Sequence, residues 1–379
     1  MTVRPTIPTA IVTTTIRVPY LLRDYLAQFD RLGHPPVSVY VVGDRKSPAT
    51  TREWIASLPW GEHRATYLDV EDQERWNARI PALRTLLPWN SIQRRNLGYL
   101  VAALEGAERI ISIDDDNHVT DADFLAGHAL VGATATLPAV STPSRWANPS
   151  DVLVSDGPRI IHRGYPTTRR ETVEPWTLTP RTGRVVVNAG LWVGEPDVDA
   201  ISRIAAPAQS LGIKPDAALP FALDRGTYGP FNSQNTAFHR DLLPAAYLVV
   251  MGPEYRGVRI DRYDDIWMSY FTKALTDHLG DLVAYGGPLV RQDRNDHDLL
   301  VDLWGELPGM VLTERLVEAV RDTPLTGGDY LSCYRELIEG LRSRLTGDRA
   351  AAPERDLFTA VLDGMDAWAD ICQEVTTHV

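Results

Sequence analysis

Three consecutive aspartates, Asp114 to Asp116, directly follow the apolar run 109–113 (RIISI). In an extended chain alternate side chains share one side, so Asp114 and Asp116 are predicted to converge while Asp115 points away. Two carboxylates at the end of a buried strand suit a hard divalent cation such as Mg²⁺ or Mn²⁺. Such an ion bridges the oxygens of a diphosphate and stabilises it as a leaving group. The alternatives are a solvated turn capping a helix that starts at Asp121, or a phosphatase nucleophile.

A second acidic pair, Asp264 and Asp265, stands at the start of a helix predicted over residues 263–279. Carboxylates in a first helical turn complement the helix dipole, so a purely structural role is one interpretation. The functional interpretation makes one of them a base, or an electrostatic partner for a substrate hydroxyl. The sequence leaves both interpretations open.

Positive charge in this chain is almost entirely arginine, because lysine occurs only three times. A GC-rich genome explains this bias; the sharper interpretation is that the planar guanidinium suits bidentate phosphate contacts. The arginines that accompany the motifs are Arg17, Arg94, Arg95, Arg163, Arg169 and Arg170. The aromatic residues near them are Tyr99, Tyr165, Trp192 and Trp267. These rings either stack on a base or sugar or belong to the core.

The elements that must position these residues alternate between strand and helix in the first part of the chain. Predicted strands cover 10–16, 37–42, 65–70 and 109–113, and predicted helices cover 20–29, 51–58 and 91–104. This alternation indicates an α/β fold with a mostly parallel central sheet and helices on both faces. Ligands of such sheets bind at the carboxyl ends of the strands, where Asp44 and the aspartate run both lie.

The later part of the chain is less regular. The clearest strand there is 185–193 (VVVNAGLWV), and helical periodicity returns after about residue 298. We therefore predict a ligand-binding domain over 1–297 and a C-terminal helical extension over 298–379. The extension either packs on the main domain or forms an oligomer contact.

Composition limits the classes of partner. The 379 residues are 44% hydrophobic and 23% charged, as in ordinary globular proteins. The formal net charge of -12 argues against a nucleic-acid partner, whose phosphates would be repelled, but allows a nucleotide held by local arginines or a cation. The two cysteines form no disulfide or metal-ligand pattern. No signal peptide and no membrane span is expected, so the expected location is the cytoplasm.

Together the motifs resemble the reversibly glycosylated polypeptides, also called UDP-arabinopyranose mutases, and their microbial relatives. The matching blocks are TTTIR (13–17), VVGD (41–44), RNLGYLV (95–101), ISIDDDN (111–117), RGYP (163–166), RRE (169–171), GLWVGEPDVDA (190–200), NTAFHRDL (235–242), RYDDIW (262–267) and TDHLG (276–280). The order and spacing of the blocks carry the resemblance, which runs from about residue 10 to about 295. It implies a GT-A (Rossmann-like) nucleotide-sugar-binding fold and an Mn²⁺ or Mg²⁺ cofactor.

The resemblance also implies roles for individual residues. Asp114 and Asp116 match the metal-binding acids, and Asp264 and Asp265 match the Tyr-Asp-Asp position and are candidates for the catalytic carboxylate. The residues expected to bind the nucleotide sugar are Thr15, Arg17, Asp44, Arg95, Asp115, Arg163, Asn188 and Trp192. Arg170 occupies the position of an arginine that becomes glycosylated in the family. A guanidinium stays protonated at neutral pH, so a clamp on phosphate or sugar is the alternative role for Arg170.

Three positions depart from the family pattern. Asn117 replaces a cysteine after the aspartates, and Ala189 replaces a histidine. Residues 291–293 replace a Trp-His-Ser stretch in a region that often supplies a further metal ligand, for which Asp293 or His297 is the candidate. These departures bear on the reaction more than on the fold.

All functional interpretations share a UDP-sugar or related donor and differ in what attacks its anomeric carbon. The first is glycosyl transfer to a small-molecule or glycan acceptor. The second is a pyranose/furanose mutase, in which a hydroxyl of the sugar itself attacks. The third is a non-catalytic nucleotide-sugar-binding partner of an active homologue. A homo-oligomer is compatible with all three.

Overall fold

The computed structural model describes residues 7–295, 297–347 and 351–377. Its first part alternates strand and helix as predicted. In chain order the elements are β1 (Thr9–Thr14), α1 (Leu22–Leu32), β2 (Val37–Val42), α2 (Thr50–Ser57), β3 (Arg64–Leu68), α3 (Val70–Arg79), α4 (Pro81–Leu86), α5 (Arg95–Leu104) and β4 (Arg109–Ile113). The four strands are parallel in the order β3-β2-β1-β4. Their carboxyl ends therefore meet at one edge of the sheet.

Helix α5 packs closely on these strands because it carries a glycine at the contact. A Cβ placed on Gly98 would lie 2.5 Å from Cγ1 of Val12 and 2.8 Å from Cγ2 of Val42. Real side chains do not tolerate such distances, so any larger residue would push the helix away from the sheet. This close contact fixes Arg95, at the start of α5, beside the ends of β1 and β4.

The second part of the chain extends the sheet with mixed pairing. Its elements are β5 (Asn117–Val119), α6 (Phe124–Gly127), β6 (Thr134–Ser141), β7 (Leu153–Ser155), β8 (Thr177–Gly194), α7 (Ala200–Ala205), β9 (Ser210–Ile213), β10 (Phe221–Leu223), β11 (Asn235–His239), β12 (Glu254–Tyr255), β13 (Val258–Arg259), α8 (Asp264–Leu279) and β14 (Leu282–Gln292). Strand β11 runs antiparallel between β4 and β8, and β14 runs parallel to β8 but antiparallel to β5 and β10. The α/β class is confirmed, with the parallel pairs concentrated in the first half.

Strand β8 is longer than the run 185–193 that the sequence marked. Its last ten residues, from Val185 to Gly194, are almost all buried, whereas the first eight are mostly exposed and pair with β6. The exposed part contains Pro180 and Arg181, which hydrophobic periodicity does not recognise as strand.

The chain ends in three helices that pack on the main body. They are α9 (Leu299–Arg321), α10 (Tyr330–Leu345) and α11 (Ala352–Thr377). In α11, Trp368 stacks on Tyr247 with ring centroids 5.4 Å apart, and Phe358 stacks on Trp267 at 5.9 Å. One hydrophobic cluster continues from the sheet into these helices. The extension thus shares the core of the main domain. Within the described ranges no helix is long and apolar enough to cross a membrane.

Candidate active site

A cavity of about 450 Å³ opens at the carboxyl ends of the parallel strands. We call it the aspartate cavity, because all three consecutive aspartates line it. The sequence-predicted residues that line it from the parallel half of the sheet are Thr15, Arg17, Asp44, Arg94, Arg95, Asp114, Asp115 and Asp116. They follow β1, β2 and β4 or begin α5, so the parallel topology brings them together as expected.

The aspartates leave the strand geometry immediately after Ile113, where β4 ends. Asp114 accepts a hydrogen bond from Nη2 of Arg95 at 2.6 Å, and Asp115 accepts one from the Thr15 hydroxyl at 2.6 Å. Asp115 therefore also faces the cavity, and the prediction that it points away was wrong. Strand alternation does not apply because the chain turns at this point.

Asp116 contacts the end of β14 on the far side of the cavity. Its carboxylate accepts hydrogen bonds from Nε2 of Gln292 at 3.0 Å and from Nδ2 of Asn295 at 3.3 Å. Burial, together with the charges of Asp114 and Asp115, raises its pKa to about 7. Three carboxylates share this corner with one buried arginine, so negative charge is in excess. Asp114 and Asp116 supply hard oxygen donors of the kind that Mg²⁺ and Mn²⁺ prefer.

The third metal ligand expected from the sequence has no clear counterpart. His297 lines the aspartate cavity, but its Nδ1 lies 3.2 Å from Asp302 on α9. Asp293 is exposed and does not line the cavity. Across residues 7–295, 297–347 and 351–377, no three Asp, Glu, His or Cys side chains form a metal-binding group.

Asp44 fixes one wall of the aspartate cavity. Its carboxylate accepts hydrogen bonds from the backbone N–H groups of Asn90 at 2.9 Å and Ser91 at 3.2 Å. It also accepts one from the N–H of Arg45 at 2.6 Å. This carboxylate therefore ties the end of β2 to the segment before α5, and both parts line the cavity.

A second cavity of about 360 Å³ contains Asp264 and Asp265 at the start of α8, and we call it the acid-pair cavity. It adjoins the aspartate cavity, since six residues line both. These are Asn90, Ser91, Ile92, Asp114, Gln234 and Arg262. The two acidic motifs, which begin at Asp114 and Asp264 in the chain, thus face one continuous cleft.

Asp265 accepts three hydrogen bonds from the protein. It accepts from the backbone N–H of Ser233 at 3.0 Å, from the Ser233 hydroxyl at 3.1 Å and from Nη2 of Arg163 at 3.3 Å. Arg163 also pairs with Asp197 through Nε at 2.9 Å and Nη2 at 3.0 Å. Arg163 was expected to bind the ligand. Its guanidinium nitrogens instead donate to protein acceptors, and this arrangement positions Asp265.

Asp264 is the less satisfied member of the pair. Its Oδ2 accepts a hydrogen bond from Nε2 of Gln93 at 2.9 Å, and the residue is only 6% exposed. Burial and the neighbouring charge of Asp265 raise the pKa of Asp264 to about 7. A carboxyl that titrates near neutral pH inside a cleft is suited to accept and return a proton.

Three residues expected at the site lie outside the cleft. Asn188 is completely buried and donates from Nδ2 to the Gly127 carbonyl at 3.0 Å. Trp192 is 1% exposed and packs in the core. Arg170 pairs with Asp199 at 2.6 Å and lines neither cavity. Their positions do not support ligand binding by Asn188 and Trp192 or a reaction at Arg170.

The cleft also contains polar residues that the sequence analysis did not select. They include Lys46, Gln93, Arg203, Gln234, Arg262, Gln292, Arg294 and Asn295. Arg262 directly precedes the Tyr-Asp-Asp motif, and that position is the one signal that marks it in the sequence. Gln292 and Asn295 reach the aspartates because β14 pairs with β5. That pairing joins segments that are far apart in the chain, so no local sequence pattern indicates it.

Comparison with known proteins identifies the family of this chain. The family model for reversibly glycosylated polypeptides matches residues 67–377, a range that includes the C-terminal helices which the sequence motifs left outside the resemblance. UDP-arabinopyranose mutase 1 of Arabidopsis thaliana is 30% identical over 285 residues, covering 74% of this chain and 72% of the relative. UDP-arabinopyranose mutase 1 of Oryza sativa subsp. japonica is 28% identical over 285 residues, covering 74% of this chain and 71% of the relative.

Solved structures share only a distant likeness with this chain. Glucosyl-3-phosphoglycerate synthase from Mycobacterium tuberculosis is 12% identical with a TM-score of 0.35, over 83% of this chain and 78% of that chain. TarS of S. aureus in complex with UDP-GlcNAc is also 12% identical with a TM-score of 0.35, over 98% of this chain and 92% of that chain. Likeness at this level adds nothing to the family match.

Proposed function

The chain belongs to the reversibly glycosylated polypeptide family, and from that premise we propose that it is an enzyme acting on the anomeric carbon of a UDP-sugar or related nucleotide-diphosphate sugar. The observation that carries the proposal is the continuous cleft, which has three aspartates at one end and a buried acid pair at the other. A diphosphate needs charge neutralisation at the first end, and a reacting hydroxyl needs a proton acceptor at the second.

The nucleotide and diphosphate occupy the aspartate cavity in this proposal. Thr15 and Arg17 follow β1, Asp44 follows β2, and Lys46 lies on the same wall. Arg17 and Lys46 are exposed, so their charges are available to phosphate oxygens. Arg95 does not bind phosphate in this proposal, because its guanidinium already donates hydrogen bonds to Asp114 and to the hydroxyls of Thr14 and Ser112.

Asp114 and Asp116 are the residues that would hold Mg²⁺ or Mn²⁺. The ion would neutralise the diphosphate as the leaving group. The support from this chain is the excess of carboxylate at that corner and the raised pKa of Asp116, caused by burial and by its two neighbours. Gln292 and Asn295 orient the Asp116 carboxylate towards the cavity from the β14 side.

In a glycosyl transfer, the bond between the anomeric carbon and the diphosphate oxygen breaks, and its electron pair leaves with the nucleoside diphosphate. The oxygen of an acceptor hydroxyl forms the new bond, and its proton passes to Asp264. Asp265, fixed by Ser233 and Arg163, stabilises positive charge that develops on the sugar. These roles use residues that line the acid-pair cavity.

The second candidate is a UDP-sugar pyranose/furanose mutase. It is favoured by the relatives, which are named UDP-arabinopyranose mutases at up to 30% identity. In this reaction a hydroxyl of the sugar itself forms the new bond to the anomeric carbon as the nucleoside diphosphate leaves, and its proton passes to Asp264. The diphosphate oxygen then bonds to the same carbon again while the original bond from that carbon to the ring oxygen breaks, and the freed ring oxygen takes the proton back from Asp264. The same cleft residues serve both reactions, since both break the same bond.

The experiment that tests the proposal is an incubation of purified protein with a panel of UDP-sugars and Mn²⁺, without added acceptor, followed by chromatography. A new peak with unchanged mass identifies a mutase. Slow release of UDP and free sugar without an isomer identifies a transferase and its donor. A panel that stays unchanged in every case, with and without glycan acceptors, contradicts the proposed enzyme activity.

A further inference from the structure

We propose that Arg262 is the guanidinium that binds the terminal phosphate of the nucleoside diphosphate, at the junction between the two cavities. This inference rests on the proposed function, because it names one recognition element of the same site. Arg262 is assigned no role by the family resemblance, which matches it only as the first residue of the RYDDIW block.

Arg262 lies where the two cavities meet. The bond that breaks joins the sugar to the terminal phosphate, so that phosphate must lie where the aspartate cavity meets the acid-pair cavity. Six residues line both cavities, and Arg262 is the one cation among them in the described part of the chain. Asp114, at the same junction, brings negative charge. A phosphate placed there needs a positive partner from the protein.

Arg262 differs from Arg95 and Arg163 in the number of its guanidinium donors that contact protein acceptors. Arg95 is 1% exposed, and its Nε, Nη1 and Nη2 all donate to protein oxygens. Arg163 is 6% exposed, and its three nitrogens likewise donate to protein acceptors. Arg262 is 24% exposed, and within the described ranges its Nη2 has no protein acceptor. It alone of these three keeps a donor for a ligand.

Both the backbone and the side chain of Arg262 are constrained by neighbouring residues. Its backbone adopts φ 62°, a left-handed conformation that arginine rarely takes. Its carbonyl accepts a hydrogen bond from Nη1 of Arg163, and its Nε donates to Glu306 at 2.9 Å. Its Nη1 lies 3.5 Å from Asp302. Unusual backbone conformations of this kind persist where the surroundings enforce them, and they concentrate at functional sites.

The C-terminal helix α9 therefore takes part in recognition. Glu306, on α9, is 1% exposed and also accepts from the N–H of Ala200 at 2.8 Å. It is a positioning residue, because it orients Arg262 without reaching the ligand. Asp302, one turn earlier, contacts Arg262 and Arg294, which both line the aspartate cavity.

Calorimetric titration of UDP and UMP, each with Mn²⁺, tests the proposal because the two ligands differ by the terminal phosphate. For Arg262→Met we expect the affinity for UDP to fall about 10- to 100-fold, the effect of one hydrogen-bonded charged contact, while the affinity for UMP changes less than about threefold. Arg262→Lys keeps the charge and is expected to recover part of the UDP affinity.

The matched control is Arg256→Met. Arg256 is also left-handed, with φ 51°, is exposed, and lines neither cavity. We expect wild-type affinity for both ligands in this variant. If Arg262→Met fails to fold because Glu306 loses its partner, the double variant Arg262→Met/Glu306→Gln removes the unpaired charge and permits the same titration.

The outcomes separate the two proposals. Wild-type protein that binds neither UDP nor UMP contradicts the proposed function. Wild-type protein that binds UDP, together with an Arg262→Met variant that loses UDP and UMP equally or neither, overturns the role of Arg262 alone. Selective loss of UDP affinity supports it.

Discussion

Replacing Asp264 by asparagine is expected to stabilise the protein, and to do so more at alkaline than at acidic pH. Burial and the charge of Asp265 raise the pKa of Asp264 from 3.8 to about 7. Because the folded-state value is the higher one, ionisation costs stability progressively as the pH rises from about 4 to about 7. Asparagine cannot ionise, and its carbonyl can still accept the hydrogen bond from Gln93.

The magnitude follows from the size of the pKa shift. One pKa unit corresponds to about 1.4 kcal/mol, so the full shift of roughly three units corresponds to about 4 kcal/mol at high pH. Between pH 5 and pH 8 the free energy of unfolding of the variant, relative to wild type, is expected to rise by about 2 to 3 kcal/mol. The other charged groups that influence Asp264, namely Arg163 and Asp261, are the same in both proteins.

Urea unfolding of both proteins at pH 5 and pH 8 measures this difference. The control is Asp121→Asn at an exposed position, which gives the background effect of exchanging an aspartate for asparagine at the same two pH values. Turnover of Asp264→Asn is expected to fall by at least about 100-fold, as for loss of a proton acceptor. A stability difference that is the same at both pH values would refute the assigned pKa. Unchanged turnover would remove Asp264 from the reaction.

Two further predictions concern the other motifs. Asp116→Asn is expected to abolish turnover while the melting temperature stays the same or rises, because a half-buried carboxylate beside Asp114 and Asp115 is replaced. Full activity in this variant would exclude Asp116 as a metal ligand. Arg170→Met is expected to lower the free energy of unfolding by about 2 kcal/mol, since Asp199 loses its partner, with turnover retained. Lost turnover at unchanged stability would return Arg170 to the reaction.

The part of the site that was predictable comes from parallel topology. Asp44 and Asp114 each follow a short β-branched strand, and parallel strands place their carboxyl ends at one edge. The sequence alone thus brings these residues together without knowledge of the packing. The acid pair at Asp264 was recognisable by type, but its place beside the aspartates depends on how α8 packs.

Some site residues were predicted wrongly or overlooked because their positions depend on tertiary contacts, which local sequence patterns do not reveal. Trp192 lies in a strand segment buried on both faces, so alternation does not reveal which side faces the cleft. Arg170 is taken by Asp199, which lies 29 residues further along the chain. Arg262 was overlooked because the orientation of its guanidinium depends on Glu306. Glu306 lies on α9, a helix that the motifs assigned to the C-terminal extension.

In the proposed reaction the cleft binds a nucleotide-diphosphate sugar through its diphosphate. Calorimetric titration of the wild-type protein with UDP, GDP, ADP and TDP, each in the presence of Mn²⁺, measures this binding. We expect saturable binding of one molecule of UDP per chain, weakened by Asp116→Asn. Absence of binding for all four nucleoside diphosphates would contradict it.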